Sequence, residues 1–183
     1  MENSNSSQAS PDPRRRRFLG AGAAATPAIL TLISQPALGN TCFTPSRSLS
    51  KNTSASQAGK DGLCVGAKSP VFFRDAPDAD WPGSVPSVTP FHPTFSGSNF
   101  IVSGTSLTMR EVLVQYPTSL AAYVLSAYLN ILLGYVPPNV LTTAVVQSIW
   151  TQWSTLGYYT VTAGVNWTDT QIKDYLQSNG IVA

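Results

Sequence analysis

Six prolines, at positions 70, 77, 82, 86, 90 and 93, punctuate the stretch between Cys64 and Gly104. Each removes a backbone donor and fixes φ, so no helix of more than a turn or two can cross that stretch. Residues 40–104 are therefore expected to be irregular, with turns and brief strands such as Asn99–Val102. Beyond Gly104 the remaining prolines, Pro117, Pro137 and Pro138, stand between periodic runs rather than inside them. The expected fold is mainly α, with about four helices forming a compact bundle over 105–183. The two regions together are expected to make one domain over 40–183.

The helical signals of the second half are local and specific. Thr108 and Glu111 read as a capping box, with Leu107 and Val112 as its hydrophobic staple, over a helix ending against Pro117. Thr118 or Ser119 caps a second helix that runs to Leu133 and stops at Gly134. Leu120, Tyr123, Val124, Ala127, Ile131 and Leu132 recur at three and four, while Leu125 and Leu129 make the other faces apolar too. A helix apolar nearly all round is a buried one, and Asn130 makes it too polar for a membrane span. Pro138 suits the first turn of a third helix reaching Leu156, with Gly157 beyond. Tyr159, Val161, Ala163 and Val165 alternate as in a short extended segment. Thr168 and Gln171 form a second capping box, stapled by Trp167 and Ile172, on a last helix stopped by Gly180.

The first 39 residues belong to something else. Arg14 to Arg17 precede an uncharged, Ala- and Gly-rich stretch, Gly20–Ile33, and Ala37-Leu38-Gly39 supplies a small-residue exit. That order reads as a secretory signal cleaved between Gly39 and Asn40. Arg15, Arg16, Phe18 and Leu19 resemble the twin-arginine pattern: two arginines, one further residue, then Phe-Leu. The resemblance implies export to the periplasm or beyond, with the twin-arginine translocase as partner. It also implies a passenger folded before transport, in some cases around a cofactor.

Without that segment the charges cancel: Arg47, Lys51, Lys60, Lys68, Arg74, Arg110 and Lys173 face equally many acids, Asp61, Asp75, Asp78, Asp80, Glu111, Asp169 and Asp174. The whole-chain charge of +2 belongs to the signal, and nucleic-acid binding is not expected. Cys42 and Cys64 are expected to pair in an oxidising compartment, closing a Ser/Thr/Asn/Lys/Gly-rich loop that has little to bury. A thiol redox or metal site would need closer spacing or histidine partners.

Chemistry is sparse. His92 is the only histidine, which excludes sites built on several imidazoles. Lying between Phe91 and Pro93, it reads as a packed or hydrogen-bonded loop residue. Asp75, Asp78 and Asp80 could together hold a hard cation, but their spacing does not fit an EF-hand and no glutamate closes the loop. A solvated turn with Arg74 paired to one Asp is the reading preferred, and no cofactor is expected. Phe72, Phe73, Trp81, Phe91, Phe95, Tyr123, Tyr128, Tyr135, Trp150, Trp153, Tyr158, Tyr159 and Trp167 are expected to fill the core; exported aromatic-rich domains that bind carbohydrate or peptide are the alternative.

Ser69-Pro70-Val71-Phe72-Phe73-Arg74-Asp75, followed by Trp81-Pro82, is similar to a segment of secreted bacterial proteins of unassigned function. There Ser-Pro-Gly-(Tyr/Phe)-Trp-Lys-Asn-His precedes Trp-Pro, and a later Ala-x-Leu-Asn helix matches Ala127–Asn130. Val71, Phe73 and Asp75 depart from the motif, and Ala76 stands where it has His, so any metal role of that side chain is lost here. The resemblance implies a secreted domain with a helical half. Three functional classes follow: an exported non-enzymatic binding or structural domain, a small exported enzyme or metal-dependent protein, and a subunit exported with a protein companion.

Replacing both Arg15 and Arg16 by Lys keeps charge but removes the guanidinium pair the translocase reads. Fractionation of expressing cells should then find full-length precursor inside and no processed chain outside; unchanged export would sink the twin-arginine assignment.

Overall fold

The computed structural model describes residues 40–50, 61–97 and 99–183. Arg15, Arg16, Phe18, Leu19 and Gly39 lie outside the described residues, as do residues 51–60 of the loop between the cysteines. The chain begins with strand β1 (Asn40–Phe43), helix α1 (Pro45–Ser50) and strand β2 (Asp61–Cys64). β1 and β2 pair antiparallel, with Cys42 opposite Gly62, and the Cys42–Cys64 disulfide spans them with 5.8 Å between Cα atoms. Arg47, almost fully buried, pairs with Asp61 at 2.6 Å and lies over the Phe43 ring.

The proline-rich stretch is short-pieced, as expected. Helix α2 (Pro70–Asp75) starts with Ser69 as cap and Pro70 in its first turn. A 3₁₀ turn covers Asp78–Asp80, and α3 (Phe91–Thr94) is one helical turn interrupted at His92. Strands β3 (Ile101–Val102) and β4 (Thr105–Ser106) make a minimal hairpin. Positive φ at both Ser103 and Gly104 is the mark of a type I′ turn.

Helix α4 (Met109–Gln115) carries the expected capping box, both of its hydrogen bonds formed. Helix α5 (Leu120–Leu132) is capped by Ser119, and Gly134 takes the left-handed conformation that ends it. Leu120, Val124, Leu125, Ala127 and Leu129 are almost wholly buried, each leucine contributing roughly 1.5–3 kcal/mol. α5 packs against α2, α4, α6 (Thr143–Leu156) and α7 (Asp169–Ser178), so it is the axis of the fold. In α7 the second capping box is also complete, and Trp167 and Ile172 are buried where the staple puts them.

Two expectations need correction. The third helix begins at Thr143, capped by Thr142, not at Pro138. Residues 135–141 instead form the seat for β2: Val65 N–H donates to Tyr135 O, and the Asn139 amide to Asp61 O. A Cβ on Gly62 would lie 2.7 Å from Val140 and 2.9 Å from Pro137, so the strand reaches this seat only with glycine there. The alternating segment after Gly157 is likewise a hairpin, β5 (Tyr159–Thr162) with β6 (Val165–Trp167), turning at Gly164 with φ of 79°.

Asn130 is fully buried within α5. Its carboxamide accepts from Lys68 N–H at 2.8 Å and donates to Lys68 O and Ile181 O, both at 2.9 Å. Asn130→Ala leaves the buried Ile181 carbonyl and the partly buried Lys68 N–H and carbonyl unpaired and should cost about 2–4 kcal/mol in urea unfolding. Asn130→Asp should be worse near neutral pH, because a buried carboxylate cannot donate to either carbonyl.

Tyr175 is buried and donates to Phe43 O at 2.8 Å, tying α7 to β1. Burial first, and Tyr159 second, push its phenol well above the ordinary range. The folded chain therefore resists an ionisation that the unfolded chain undergoes near pH 10. Stability should hold below that pH and fall as pH rises beyond it. Tyr175→Phe should lose about 1 kcal/mol at pH 8 and flatten the alkaline decline of the urea midpoint. An equally steep decline in the variant would show that another group carries it.

Candidate functional site

Four aromatic rings from three separate parts of the chain meet at the surface end of the core. They rest on the core, where Phe91 of α3 and Phe95 just after it stack at 4.7 Å, with Trp150 of α6 edge-on to Phe91 at 5.2 Å. Phe100 lies nearly parallel to Trp150 at 5.8 Å and tilts against Tyr116 at 5.0 Å. Trp153, one turn along α6, tilts against Trp150 at 5.6 Å. Between them lies a hollow of about 310 Å³ lined by Asn99, Phe100, Tyr116, Trp150, Trp153 and the first turn of α5, Ser119–Ala121.

Hydrogen bonds from α6 hold the loop that supplies Phe100. Trp150 Nε1 donates to Ser96 O at 2.9 Å, Gln147 Nε2 to Thr94 O at 2.8 Å, and the Ser96 and Thr151 hydroxyls are 3.0 Å apart. From the other side Leu107 N–H donates to Phe100 O at 2.8 Å. This clamp keeps Phe100 at φ of 64°, a conformation that costs a bulky side chain of order 1–3 kcal/mol. Strain so held is concentrated at functional sites. The lining includes no carboxylate, imidazole, thiol or amine.

The residues singled out from sequence do not converge on this hollow. Asp75 is bound at 2.7 Å through both oxygens to its neighbour Arg74, whose hydrogen bonds hold the carboxyl below its usual range. Asp78 accepts from the Ser87 hydroxyl and, at 2.8 Å, from Arg110; chiefly the Ser87 bond lowers its pKa. Asp80 is exposed. His92 is half-buried, its Nε2 hydrogen-bonded to Asn99 O. Among the described residues no group of three or more His, Cys, Asp or Glu is placed to hold a metal ion.

The motif segment 69–82 is instead a latch on α4 and α5. Phe73 is buried edge-on to Trp81 at 5.9 Å, and Arg110 lies over the Trp81 ring while donating to Arg74 O at 3.0 Å. Sequence reasoning marked Trp150 and Trp153 but passed over Phe100 and Tyr116. The only local signal was an aromatic at an element boundary: Phe100 just before the β3–β4 hairpin and Tyr116 between α4 and Pro117. Comparison with protein-family models, curated proteins and solved structures returns no match.

Proposed function

We propose that this chain leaves the cytoplasm by the twin-arginine route, loses residues 1–39, and acts outside as a non-enzymatic binding domain. Its C-terminal helices serve as a compact bundle that presents the aromatic hollow. The observation that carries this reading is the hollow itself: about 310 Å³, walled by four aromatic residues and without carboxylate, imidazole, thiol or amine. Such a surface suits binding, because the lining holds no carboxylate, imidazole or amine to activate the Tyr116 phenol or the Ser119 hydroxyl. Asp75 and Asp78, which an enzymatic reading would enlist, are committed to arginines. The Cys42–Cys64 disulfide suits an oxidising compartment. Among the described residues no helix is long and apolar enough to cross a membrane.

A second reading, a subunit docked on an exported companion, is favoured by the exposed apolar side chains on either side of Phe100 and Tyr116 in sequence. Ile101, Val102 and Val114 are 45, 55 and 55 % exposed. Exposed apolar side chains of this kind are what a protein contact would cover.

Native mass spectrometry of the chain recovered after export tests both. The expected species is residues 40–183, two hydrogens lighter than the reduced chain and carrying nothing else. A retained metal or organic cofactor would overturn the non-enzymatic reading. A second polypeptide would move the assignment to the docked subunit.

A further inference from the structure

We propose that the hollow between Phe100, Tyr116, Trp150 and Trp153 is a subsite for a neutral saccharide, with a sugar ring laid against the aromatic wall. This rests on the reading of the chain as a binding domain and gives that domain its ligand class.

Size limits the occupant first. About 310 Å³ is the low end of the range for small-molecule sites, room for a ring or two rather than for a helix or a folded partner. Charge limits it next. With a lining of Asn, Phe, Tyr, Ser, Leu, Ala and Trp, the site offers no countercharge to an anionic or cationic ligand; a charged group would lose its hydration and find no partner.

The polar atoms then separate the neutral classes. Ser119 Oγ is spent capping α5, and Trp150 Nε1 is spent on Ser96 O. Tyr116 Oη, Trp153 Nε1 and the Asn99 amide have no hydrogen-bond partner among the described residues. A hydroxyl, an indole N–H and a carboxamide thus stand around an apolar wall, offering donors and acceptors together. A wholly apolar ligand would strip water from these atoms and replace none of its bonds. A proline-rich segment brings carbonyl acceptors but no N–H donor, and it binds along a row of successive pockets. A sugar ring has an apolar C–H face for the aromatic wall and a rim of hydroxyls that both donate and accept. Its wall is already formed, because the Ser96, Thr94 and Leu107 hydrogen bonds hold Phe100 in place before any ligand arrives, which lowers the ordering cost of binding.

The test is a tryptophan-fluorescence titration of the exported chain. The probes are linear neutral oligomers of glucose, mannose, galactose, xylose and N-acetylglucosamine, with a proline decapeptide and 8-anilinonaphthalene-1-sulfonate for comparison. At least one oligosaccharide should give a saturable change. Trp153→Phe, which keeps a ring but deletes the N–H, and Tyr116→Ala should each weaken it by about threefold to tenfold. Asn99→Ala, on the exposed loop, supplies a third variant that leaves the core untouched. Unaltered thermal midpoints check that the variants fold. Saccharide binding equally strong in all three variants, or no saccharide response, overturns the proposal. If the decapeptide or the dye then binds and the variants weaken it, only the ligand class falls and the binding-domain reading stands. Silence from every probe removes both.

Discussion

One carboxamide joins three parts of this chain that are far apart in sequence. Asn130 sits fully buried in α5, yet each of its hydrogen-bonding contacts is to backbone of another segment, Lys68 on one side and Ile181 on the other. The two bonds to Lys68 act like a rung of β-ladder between the irregular region and the central helix. The third fixes the tail, whose Ile181 and Val182 N–H groups return to Leu176 O. A hydrophobic contact tolerates sliding by an ångström; a fully satisfied buried amide does not. The rest of the packing around α5 depends on that register, including the placement of Ser69 as the cap of α2 one residue beyond Lys68.

From this axis the aromatic surface follows by steps. α6 packs along α5, which puts Trp150 at the core edge and Trp153 a turn further out. The Trp150 indole then captures Ser96 O, the loop is held against α6, and Phe100 is carried over the Trp150 ring. Tyr116 arrives from the other direction, at the end of α4, whose own position is fixed by its capping box and by Arg110 reaching back over Trp81. No single helix makes the hollow. It exists where the end of α4 and the second half of α6 meet the start of α5 beside a loop held by hydrogen bonds.

The helices were legible because their ends are written in short-range chemistry. Thr108 with Glu111, Ser119, Gly134, Gly157 and Thr168 with Gln171 each act through neighbours within four residues, and each does in the fold what its spacing implies. The disulfide was legible for a similar reason: two cysteines leave one pairing. Pro138 misled because its local preference for a first helical turn yields to a tertiary demand, the docking of Gly62 on Pro137 and Val140. The β5–β6 hairpin was half visible, since alternation shows strand but not the reversal at Gly164. Almost nothing of the site was legible. Its rings are numbered 100, 116, 150 and 153, a spacing with no period, and the left-handed φ of Phe100 contradicts the preference of that residue type.

That contradiction also bears on what the domain is for. A phenylalanine held at positive φ is an expense in stability that a glycine or asparagine at position 100 would avoid. Buried aromatics elsewhere in this chain reach the core without a left-handed backbone, Phe73 from helix α2 and Phe95 from an extended residue, so core filling does not require such strain. Position 100 differs in that its ring bridges the buried Trp150 and the exposed Tyr116. The ring is thus the one that extends the apolar core into an open wall, and the neighbouring backbone is clamped on both sides to keep it there. The charged residues follow the opposite rule. Asp75 and Asp78 are held in ion pairs with Arg74 and Arg110 and neither lines the hollow, whose wall is neutral. Strain retained at an aromatic and a lining without charge both suit the recognition of an uncharged ring proposed for the hollow.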